Sequence, residues 1–570
     1  MSEIDNANQN FQSADDAPLF LLGDEAAALA AIHAGLSAAY GYPGTPSTEI
    51  LEWLIDRYEK GGGVPARWCS NEKTALEGAL GVSFAGKRTL VTMKHVGLNV
   101  AADPYVNSAL LGINGGLVLT VADDPGMHSS QDEQDSRFYA AFARAPCLEP
   151  RSAQEAYDMA REAFDVSERF HLPVILRLTT RIAHARARVT PRPPVPQNAA
   201  RKPASKAEWI LLPANARNNY AALIEKQKDL AAWSECHPAN IMEDGEGGSA
   251  AITVITSGLG GNYYEENRDD FAAQRGKPRR LHIGTYPLPV EKIRRVCAET
   301  REIFVIEEGQ PFIEEKLAGL LDTGKVIHGK LDGTLPSSGE LDADIVRKGL
   351  GLPPLPVAGP LAGFTVPGRP PQLCQGCPHI DSYTVIKDFI SGLDQAEYAV
   401  NADIGCYSLG AAGKIAVPES IVCMGASVGM ARGAAEAGVK YAIAVIGDST
   451  FLHSGIPSLI DAVAHNAPMT LVILDNTIVA MTGCQEPIVP SASLKNLILG
   501  TGVDSSHLVF LPARAAQREE NLAAFRREME YRGVSVVVFQ RECLEAARKR
   551  KKTTPNTGGK GQGSGETERV

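Results

Sequence analysis

The chain has 570 residues, too many for one hydrophobic core, and its length predicts about three domains. Apolar residues make up 44% and charged residues 22%, which excludes a wholly disordered chain. The net charge of −11 argues against a protein that binds nucleic-acid backbones. No apolar run approaches the roughly 18 residues of a membrane span, and the polar N-terminus does not resemble a secretion signal. We therefore expect a soluble, cytoplasmic protein whose ten cysteines are reduced thiols or metal ligands.

Strand and helix patterns alternate in three blocks, which predicts an α/β fold built on parallel sheets. In chain order, the predicted elements are a helix at 24–39, a helix at 72–84, strands at 89–92 and 116–121, a helix at 153–169, strands at 172–176 and 251–255, a helix at 290–300, and strands at 302–306, 441–446, 470–474 and 534–539. The predicted boundaries are a disordered N-terminus at 1–19, a large domain at 20–190, a linker region at 191–249, a smaller domain at 250–331, a Pro/Gly-rich linker at 332–372, a second large domain at 373–545 and a disordered basic tail at 546–570.

The sharpest local signal is Gly447-Asp448-Ser449, which ends one predicted strand and begins a helix. Asn476 ends the next predicted strand, so both polar side chains fall at one sheet edge, where ligands bind in this architecture. A carboxylate and an amide oxygen suit a hard cation that keeps positions open for phosphate oxygens. Gly447 allows the backbone to approach a diphosphate, and the helix N-terminus favours that anion. The spacing resembles that of thiamine diphosphate enzymes, which implies Mg²⁺ held by Asp448, Asn476 and the carbonyl of Ile478.

Thiamine chemistry also needs a carboxylate that hydrogen-bonds the pyrimidine ring, supplied by a second α/β domain. Glu72 begins a predicted helix of apolar and small residues in the first block, where such a carboxylate can be buried. On these residues alone, a glutamate favoured by the helix dipole is an equally good interpretation.

Five longer motifs identify a family. They resemble 2-oxoacid:ferredoxin oxidoreductases, and among these the large subunits of the indolepyruvate branch; the motifs lie at 41–50, 94–104, 122–131, 376–379 and 447–457. The resemblance implies a pyrimidine-binding domain, a transketolase-C-like domain and a diphosphate-binding domain, in that order. Electrons in this family pass through iron–sulfur clusters.

The resemblance also implies roles for individual residues. Glu72 matches the activating glutamate and Thr45 a threonine that contacts the 2-oxoacid carboxylate. Lys94, His95 and Asn99 fall on a loop that faces the thiazolium. The remaining positions implied to contact the cofactor are Gly44, Gly97, Gly405, Gly425, Ser427, Gly447, Asp448, Ser449, Asn476 and Thr482. His128 and His453 lie in matched motifs with no assigned role.

Cysteines at family-like spacing predict a [4Fe–4S] site. The implied ligands are Cys374, Cys377, Cys406 and Cys543. The alternatives are that these are buried cysteines, or that Cys484 is the fourth ligand. The sequence contains no C-x2-C-x2-C-x3-C-P run, so we expect the ferredoxin-like domain common in this family to be missing and electrons to leave to an external acceptor such as ferredoxin.

The leading functional hypothesis is oxidative decarboxylation of an aryl 2-oxoacid, such as indolepyruvate or phenylpyruvate, to the acyl-coenzyme A. The family implies a separate small subunit and a dimer of heterodimers. A non-oxidative thiamine diphosphate decarboxylase or carboligase is the second hypothesis, and a non-catalytic subunit the third. The turn at 257–262 resembles a dinucleotide-binding loop only loosely, which disfavours an NAD enzyme.

Overall fold

The computed structural model describes residues 18–59, 64–204, 207–245, 251–321, 324–356, 372–421 and 423–553. The chain divides into two compact units, Met1–Val366 and Pro367–Val570. Most of the predicted disordered N-terminus, the end of the predicted Pro/Gly-rich linker and residues 554–570 of the predicted tail lie outside the described residues.

The described part of the first unit alternates strands and helices. Its strands are β1 Leu19–Leu22, β2 Ala38–Gly41, β3 Ala66–Trp68, β4 Thr89–Lys94, β5 Leu117–Asp123, β6 Cys147–Leu148, β7 Val174–Thr179, β8 Arg186–Val189, β9 Ile241–Glu243, β10 Ile252–Ser257, β11 Arg279–Ile283, β12 Thr285–Tyr286, β13 Glu302–Ile306 and β14 Val326–His328. Its α-helices are α1 Gly23–His33, α2 Thr48–Leu54, α3 Glu72–Phe84, α4 His95–Leu111, α5 Ser136–Ala143, α6 Ala153–Phe170, α7 Thr180–His184, α8 Pro213–Cys236, α9 Gly258–Arg275, α10 Val290–Cys297, α11 Phe312–Leu320 and α12 Ala343–Gly349.

Two mainly parallel sheets form the centre of the first unit. The larger has the strand order β12-β6-β7-β5-β4-β2-β3 and the smaller β14-β13-β10-β11-β9, while β1 and β8 form a separate antiparallel pair. Every residue of β5 and β7 is buried, as expected for strands covered by helices on both faces. The α/β prediction is confirmed.

The region predicted as a linker at 191–249 contains regular structure that the sequence analysis missed. Helix α8 lies within it, and β9 extends the smaller sheet. Leu223, Leu230 and Trp233 of α8 are buried against the core of the unit. The helix was missed because its apolar residues are sparse and because the many prolines before it are typical of a linker.

The second unit is built on one parallel sheet. Its strands are β15 Tyr398–Ala402, β16 Ser420–Ile421, β17 Tyr441–Gly447, β18 Met469–Asp475, β19 Leu508–Pro512 and β20 Val534–Gln540, in the order β16-β15-β17-β18-β20-β19. Its α-helices are α13 Pro378–Ile390, α14 Ala426–Glu436, α15 Asp448–Thr450, α16 Ile456–Ala464, α17 Ser491–Gly500, α18 Arg518–Met529 and α19 Leu544–Thr553. Alternate strand residues enter two hydrophobic clusters, one on each face: Ile446 and Ile473 on one, Val445 and Val472 on the other.

The prediction of a disordered tail from residue 546 is wrong at the start of that tail, where helix α19 lies. Residues 546–553, assigned to that tail from their basic composition, are helical. Ala546 is buried, and Arg548 pairs with Glu545 at 2.5 Å. An apolar contact and a charge pair one turn apart thus stabilise a segment that composition alone predicts to be solvated.

Among the residues described here, no helix combines the length and apolar character needed to cross a membrane.

Candidate active site

At the carboxyl edge of the larger sheet in the first unit, Thr45, Lys94 and Ser129 form a hydrogen-bonded group. Neighbouring strands β2 and β4 end at this edge and bring the loop of Thr45 to Lys94. Ser129 Oγ donates to the carbonyl oxygen of Thr45 at 3.0 Å, and Lys94 Nζ donates to the carbonyl oxygen of Ser129 at 3.0 Å. Asp124, directly after β5, accepts from the N–H of Ser129 at 2.8 Å. The structure therefore brings two predicted site residues together through a serine to which the sequence assigned no role.

Glu72 is a buried carboxylate in the same unit. Helix α3 begins at Glu72 because Asn71 caps it, accepting from the N–H of Thr74 at 2.8 Å. Only 5% of Glu72 is exposed, and its side chain lies over Gly97, where an added Cβ would stand 2.6 Å from Glu72 Oε1. Gly97 is therefore needed for this approach.

Lys94 lies close to this pair. Burial lowers the pKa of its ammonium, although the charges of Asp124, Asp132 and Glu72 oppose that shift. Gly44 packs against the lysine stem: a Cβ there would be 3.1 Å from Lys94 Cδ. Both glycines predicted to contact the cofactor in this unit thus adjoin predicted catalytic side chains.

His95 and Asn99 lie one turn apart on α4. The Nε2 of His95 donates to the carbonyl oxygen of Asp132 at 3.2 Å, while its buried Nδ1 makes no hydrogen bond to the described residues. Asn99 Oδ1 accepts from the hydroxyl of Tyr139 at 2.5 Å. An unused buried ring nitrogen is suited to a bound ligand. His128, in contrast, is largely exposed and lies 3.4 Å from a carboxylate oxygen of Glu340.

In the second unit, Asp448 and Asn476 directly follow the neighbouring parallel strands β17 and β18. Asp448 Oδ2 accepts from the N–H of Thr477, and Asn476 Oδ1 accepts from the N–H of Ile478, both at 3.1 Å. Burial, reinforced by the charge of Asp475, raises the pKa of Asp448 to about 8. A buried carboxylate and an amide oxygen at the ends of two neighbouring strands fit a hard cation such as Mg²⁺, which would stabilise the charged form of Asp448.

Small residues keep the backbone around this turn accessible. Cβ atoms at Gly447 and Gly405 would stand 2.7 Å and 2.5 Å from the ring of Tyr407. Gly425 directly precedes α14 with a φ of +87°, and a Cβ there would stand 2.5 Å from Ser454 Cβ. Larger residues at any of these positions would displace the loops.

The hydroxyl residues predicted to contact the cofactor in this unit differ in what they already bind. Ser449 Oγ is buried and makes no hydrogen bond to the described residues, so it suits a phosphate oxygen. Ser427 instead donates from its N–H and Oγ to Asp403, at 2.8 Å and 2.5 Å. Burial raises the pKa of Asp403 to about 6. The hydroxyl of Thr482 donates to Gln485 Oε1 at 2.6 Å.

The four predicted cluster ligands line a single cavity of the second unit. Cys374, Cys377, Cys406 and Cys543 all border it, and so does Asn476. Burial, together with the neighbouring thiols, raises the pKa of Cys406 to about 12 and that of Cys377 to about 11. Cys484 also lies near Cys406 and Cys543. Four gathered thiols are a donor set that fits a [4Fe–4S] cluster.

Two histidines lie near the cation turn. Burial lowers the pKa of His379 to about 4, so its ring is neutral at pH 7. Asn476 Nδ2 lies 3.3 Å from His379 Nε2, an orientation that leaves Asn476 Oδ1 on the other side of the amide. Sequence reasoning missed this positioning role, although His379 follows Cys377-Pro378 in a recognised motif. His453 is buried in the helical turn after Asp448 and contacts Ser454 Oγ.

Comparison with known protein families first identifies the class of enzyme. The model of the thiamine diphosphate-binding domain of pyruvate flavodoxin/ferredoxin oxidoreductases matches residues 29–243. The C-terminal thiamine pyrophosphate-binding domain of thiamine pyrophosphate enzymes matches residues 403–539. These two matched domains define the class: a thiamine diphosphate-dependent enzyme.

Full-length relatives then give the family. The indolepyruvate oxidoreductase subunit IorA of Archaeoglobus fulgidus is 36% identical over 94% of this chain and 88% of its own length. The subunit IorA of Pyrococcus abyssi is 33% identical over 92% of this chain and 85% of its own length. A solved 2-oxoglutarate:ferredoxin oxidoreductase from Magnetococcus marinus is 17% identical with a TM-score of 0.49, over 59% of this chain and 65% of its own. The chain belongs to the family of indolepyruvate oxidoreductase IorA subunits, whose reaction is thiamine diphosphate-dependent oxidoreduction of a 2-oxoacid.

Proposed function

We propose that this chain is the catalytic large subunit of an enzyme that converts an aryl 2-oxoacid, of the indolepyruvate or phenylpyruvate type, and coenzyme A into acyl-coenzyme A, CO2, a proton and two electrons. The aryl class follows the names of the relatives, and coenzyme A follows the family resemblance. The observation that carries the redox part is the cavity that Asn476 shares with four cysteines.

In this proposal Asp448 and Asn476 hold Mg²⁺ together with the carbonyl of Ile478, and Ser449 and the start of the following helix bind the diphosphate. When bound, thiamine diphosphate supplies the carbon nucleophile and the electron sink for decarboxylation. Glu72 holds a proton at the pyrimidine nitrogen through its buried carboxyl group. A group buried in this way acts in a low dielectric, where one hydrogen bond has a large effect.

The substrate-binding part of the proposal rests on the first unit. Thr45 binds the 2-oxoacid carboxylate, and Lys94 contributes positive charge near that anion. The hydrogen bonds from Lys94 to Ser129 and from Ser129 to Thr45 hold this group in place. Fixed donors of this kind cost no reorganisation during the reaction. His95 has an unused ring nitrogen for the same ligand.

Cys374, Cys377, Cys406 and Cys543 are proposed to hold one [4Fe–4S] cluster, which would supply one-electron redox chemistry. The thiols of Cys377 and Cys406 have high pKa values, but iron binds the deprotonated thiolates and so favours loss of their protons. Asn476 borders the same cavity as the four thiols, which supports electron transfer directly from the cofactor site. A small subunit and an external acceptor such as ferredoxin complete the proposed enzyme.

The test is anaerobic co-purification with the small subunit, followed by iron and sulfide analysis. We expect about four of each per chain. Substituting Cys374, Cys377, Cys406 or Cys543 by Ser should abolish the cluster. C423S is the matched control, and C484S decides whether the fifth nearby thiol is a ligand. Iron near zero in protein that binds thiamine diphosphate, with an aldehyde as product, would establish the non-oxidative decarboxylase instead.

A further inference from the structure

Three polar side chains outside the site described above converge in the first unit. Asp24 lies at the start of α1, Glu49 in α2 and His184 at the end of α7. One ligand atom from each lies within 4.8 Å of the others. The three positions are far apart in sequence, so only the tertiary fold brings them together.

The side chain of Asp24 is buried without a partner among the described residues. The residue is 0% exposed, and neither carboxylate oxygen has a hydrogen-bond partner among the described residues. The carboxylates of Glu49 and Glu25 are among its charged neighbours. An ionised carboxylate is costly to bury unless a cation compensates it.

The spacing of the other two side chains fits a shared ion better than a direct bond. His184 Nε2 and Glu49 Oε2 are 3.6 Å apart, which is within ion-pair distance but longer than a hydrogen bond. Glu49 Oε2 is itself buried without a hydrogen-bond partner. Two ligands of a tetrahedral Zn²⁺, each about 2.1 Å from the metal, lie about 3.4 Å apart. Both side chains are about one-third exposed, which provides a path for entry.

We propose that Asp24, Glu49 and His184 bind one first-row divalent transition-metal ion, such as Zn²⁺. Two carboxylates and one imidazole are too few oxygens for Ca²⁺, which takes six to eight, whereas an imidazole with carboxylates suits first-row ions. The ion ties α1, α2 and α7 together. Glu49 follows Thr45 by four residues, so the ion fixes the helix that anchors the loop of Thr45.

Metal counting on apoprotein reloaded with Zn²⁺ tests the site. Wild type is compared with D24N, H184Q and the control E25Q, which changes the adjacent carboxylate; Glu25 Oε2 accepts from the N–H of Leu22 at 2.9 Å, and glutamine retains an acceptor. Cysteine thiolates and the Asp448 site should bind the same amount of Zn²⁺ in all four proteins, so their contribution cancels in the comparison. Wild type and E25Q should hold one Zn²⁺ more than D24N and H184Q. Equal counts in all four would overturn the proposal.

Thermal unfolding provides a second readout that separates binding from folding. In chelator, D24N should unfold no lower than wild type, because it removes an uncompensated buried carboxylate. Added Zn²⁺ should raise the unfolding temperature of wild type and E25Q but not that of D24N or H184Q. If Zn²⁺ stabilises all four alike, the three side chains only share a proton and the proposal fails. H184Q alters a partly exposed side chain and keeps the test valid if D24N does not fold.

Discussion

The carboxylate of Glu72 lies directly over Gly97, so close that a Cβ on that glycine would stand 2.6 Å from Glu72 Oε1. Glu72 begins one helix and Gly97 lies in the first turn of the next, and the two helices pack together. The position of the proposed activating carboxylate thus depends on the absence of a side chain 25 residues further along the chain.

Replacing Gly97 by Ala should displace that carboxylate and lower kcat by about 100-fold, because displacements near 1 Å misalign catalytic groups. Steady-state oxidation of a 2-oxoacid measures the effect. G81A is the matched control: Gly81 lies in the helix of Glu72, and nothing lies within 4 Å of a Cβ there. It should keep full activity and gain a few tenths of a kcal/mol or more in stability. Normal activity in G97A would show that Glu72 need not hold its present position.

Removing the hydroxyl of Ser129 should weaken substrate binding. S129A loses the bond to the Thr45 carbonyl, worth about 1 kcal/mol, so KM for the 2-oxoacid should rise about fivefold with a smaller change in kcat. S130A is the control, since Ser130 Oγ binds the same Asp124 at 2.7 Å without a hydrogen bond to Thr45. Equal KM values for the two variants would separate Thr45 from substrate binding.

Cation binding at Asp448 should release a proton. The unfolded carboxyl has a pKa of about 3.9, and burial raises the folded value to about 8. Between these values the metal-free folded state holds the proton, so this group's contribution to stability falls as pH rises from about 4 through 8. Mg²⁺ with thiamine diphosphate should displace about one proton at pH 6.5 and fewer above pH 8.

Calorimetry in two buffers of different ionisation enthalpy measures the proton release. D448N should abolish both cation binding and release. D461N, which alters an exposed carboxylate paired with Arg432, should behave as wild type. Release that is independent of pH would place the cation elsewhere.

Breaking the buried ion cluster around Arg137 should destabilise the first unit. The guanidinium is fully buried and binds Asp135 at 2.5 Å, Glu307 at 2.9 Å and the carbonyl of Glu308 at 2.9 Å. R137M removes the guanidinium that pairs with Glu307 and leaves Asp135 with Arg177 at 3.5 Å, at a cost of about 3–5 kcal/mol. Urea unfolding followed by circular dichroism measures it. R192M removes an exposed partner of Asp158 and should cost about 1 kcal/mol or less. Similar shifts in both variants would contradict the cluster's role.

Much of the architecture could be predicted because buried strands have a simple signature. Patterning alone placed Asp448 and Asn476 after successive strands, and the structure puts these strands side by side. It does not place Ser129, since its partner Thr45 is 84 residues away and the contact depends on how two loops fold back. His379 is similar: its contact with Asn476 spans 97 residues. Residues that position others carry no local pattern of their own.

Strand β20, the last strand in sequence among the residues described, lies between β18 and β19 in the sheet of the second unit. During synthesis, this sheet stays open along the facing edges of β18 and β19 until residues 534–540 have left the ribosome. Cys543 follows immediately, and its N–H bonds the carbonyl of Asn476 at 3.1 Å. In the proposed cluster site, Cys374, Cys377 and Cys406 are made more than a hundred residues before Cys543, so the site would lack its fourth thiol until this strand has been made. Nascent chains halted before β20 present unpaired strand edges that favour aggregation.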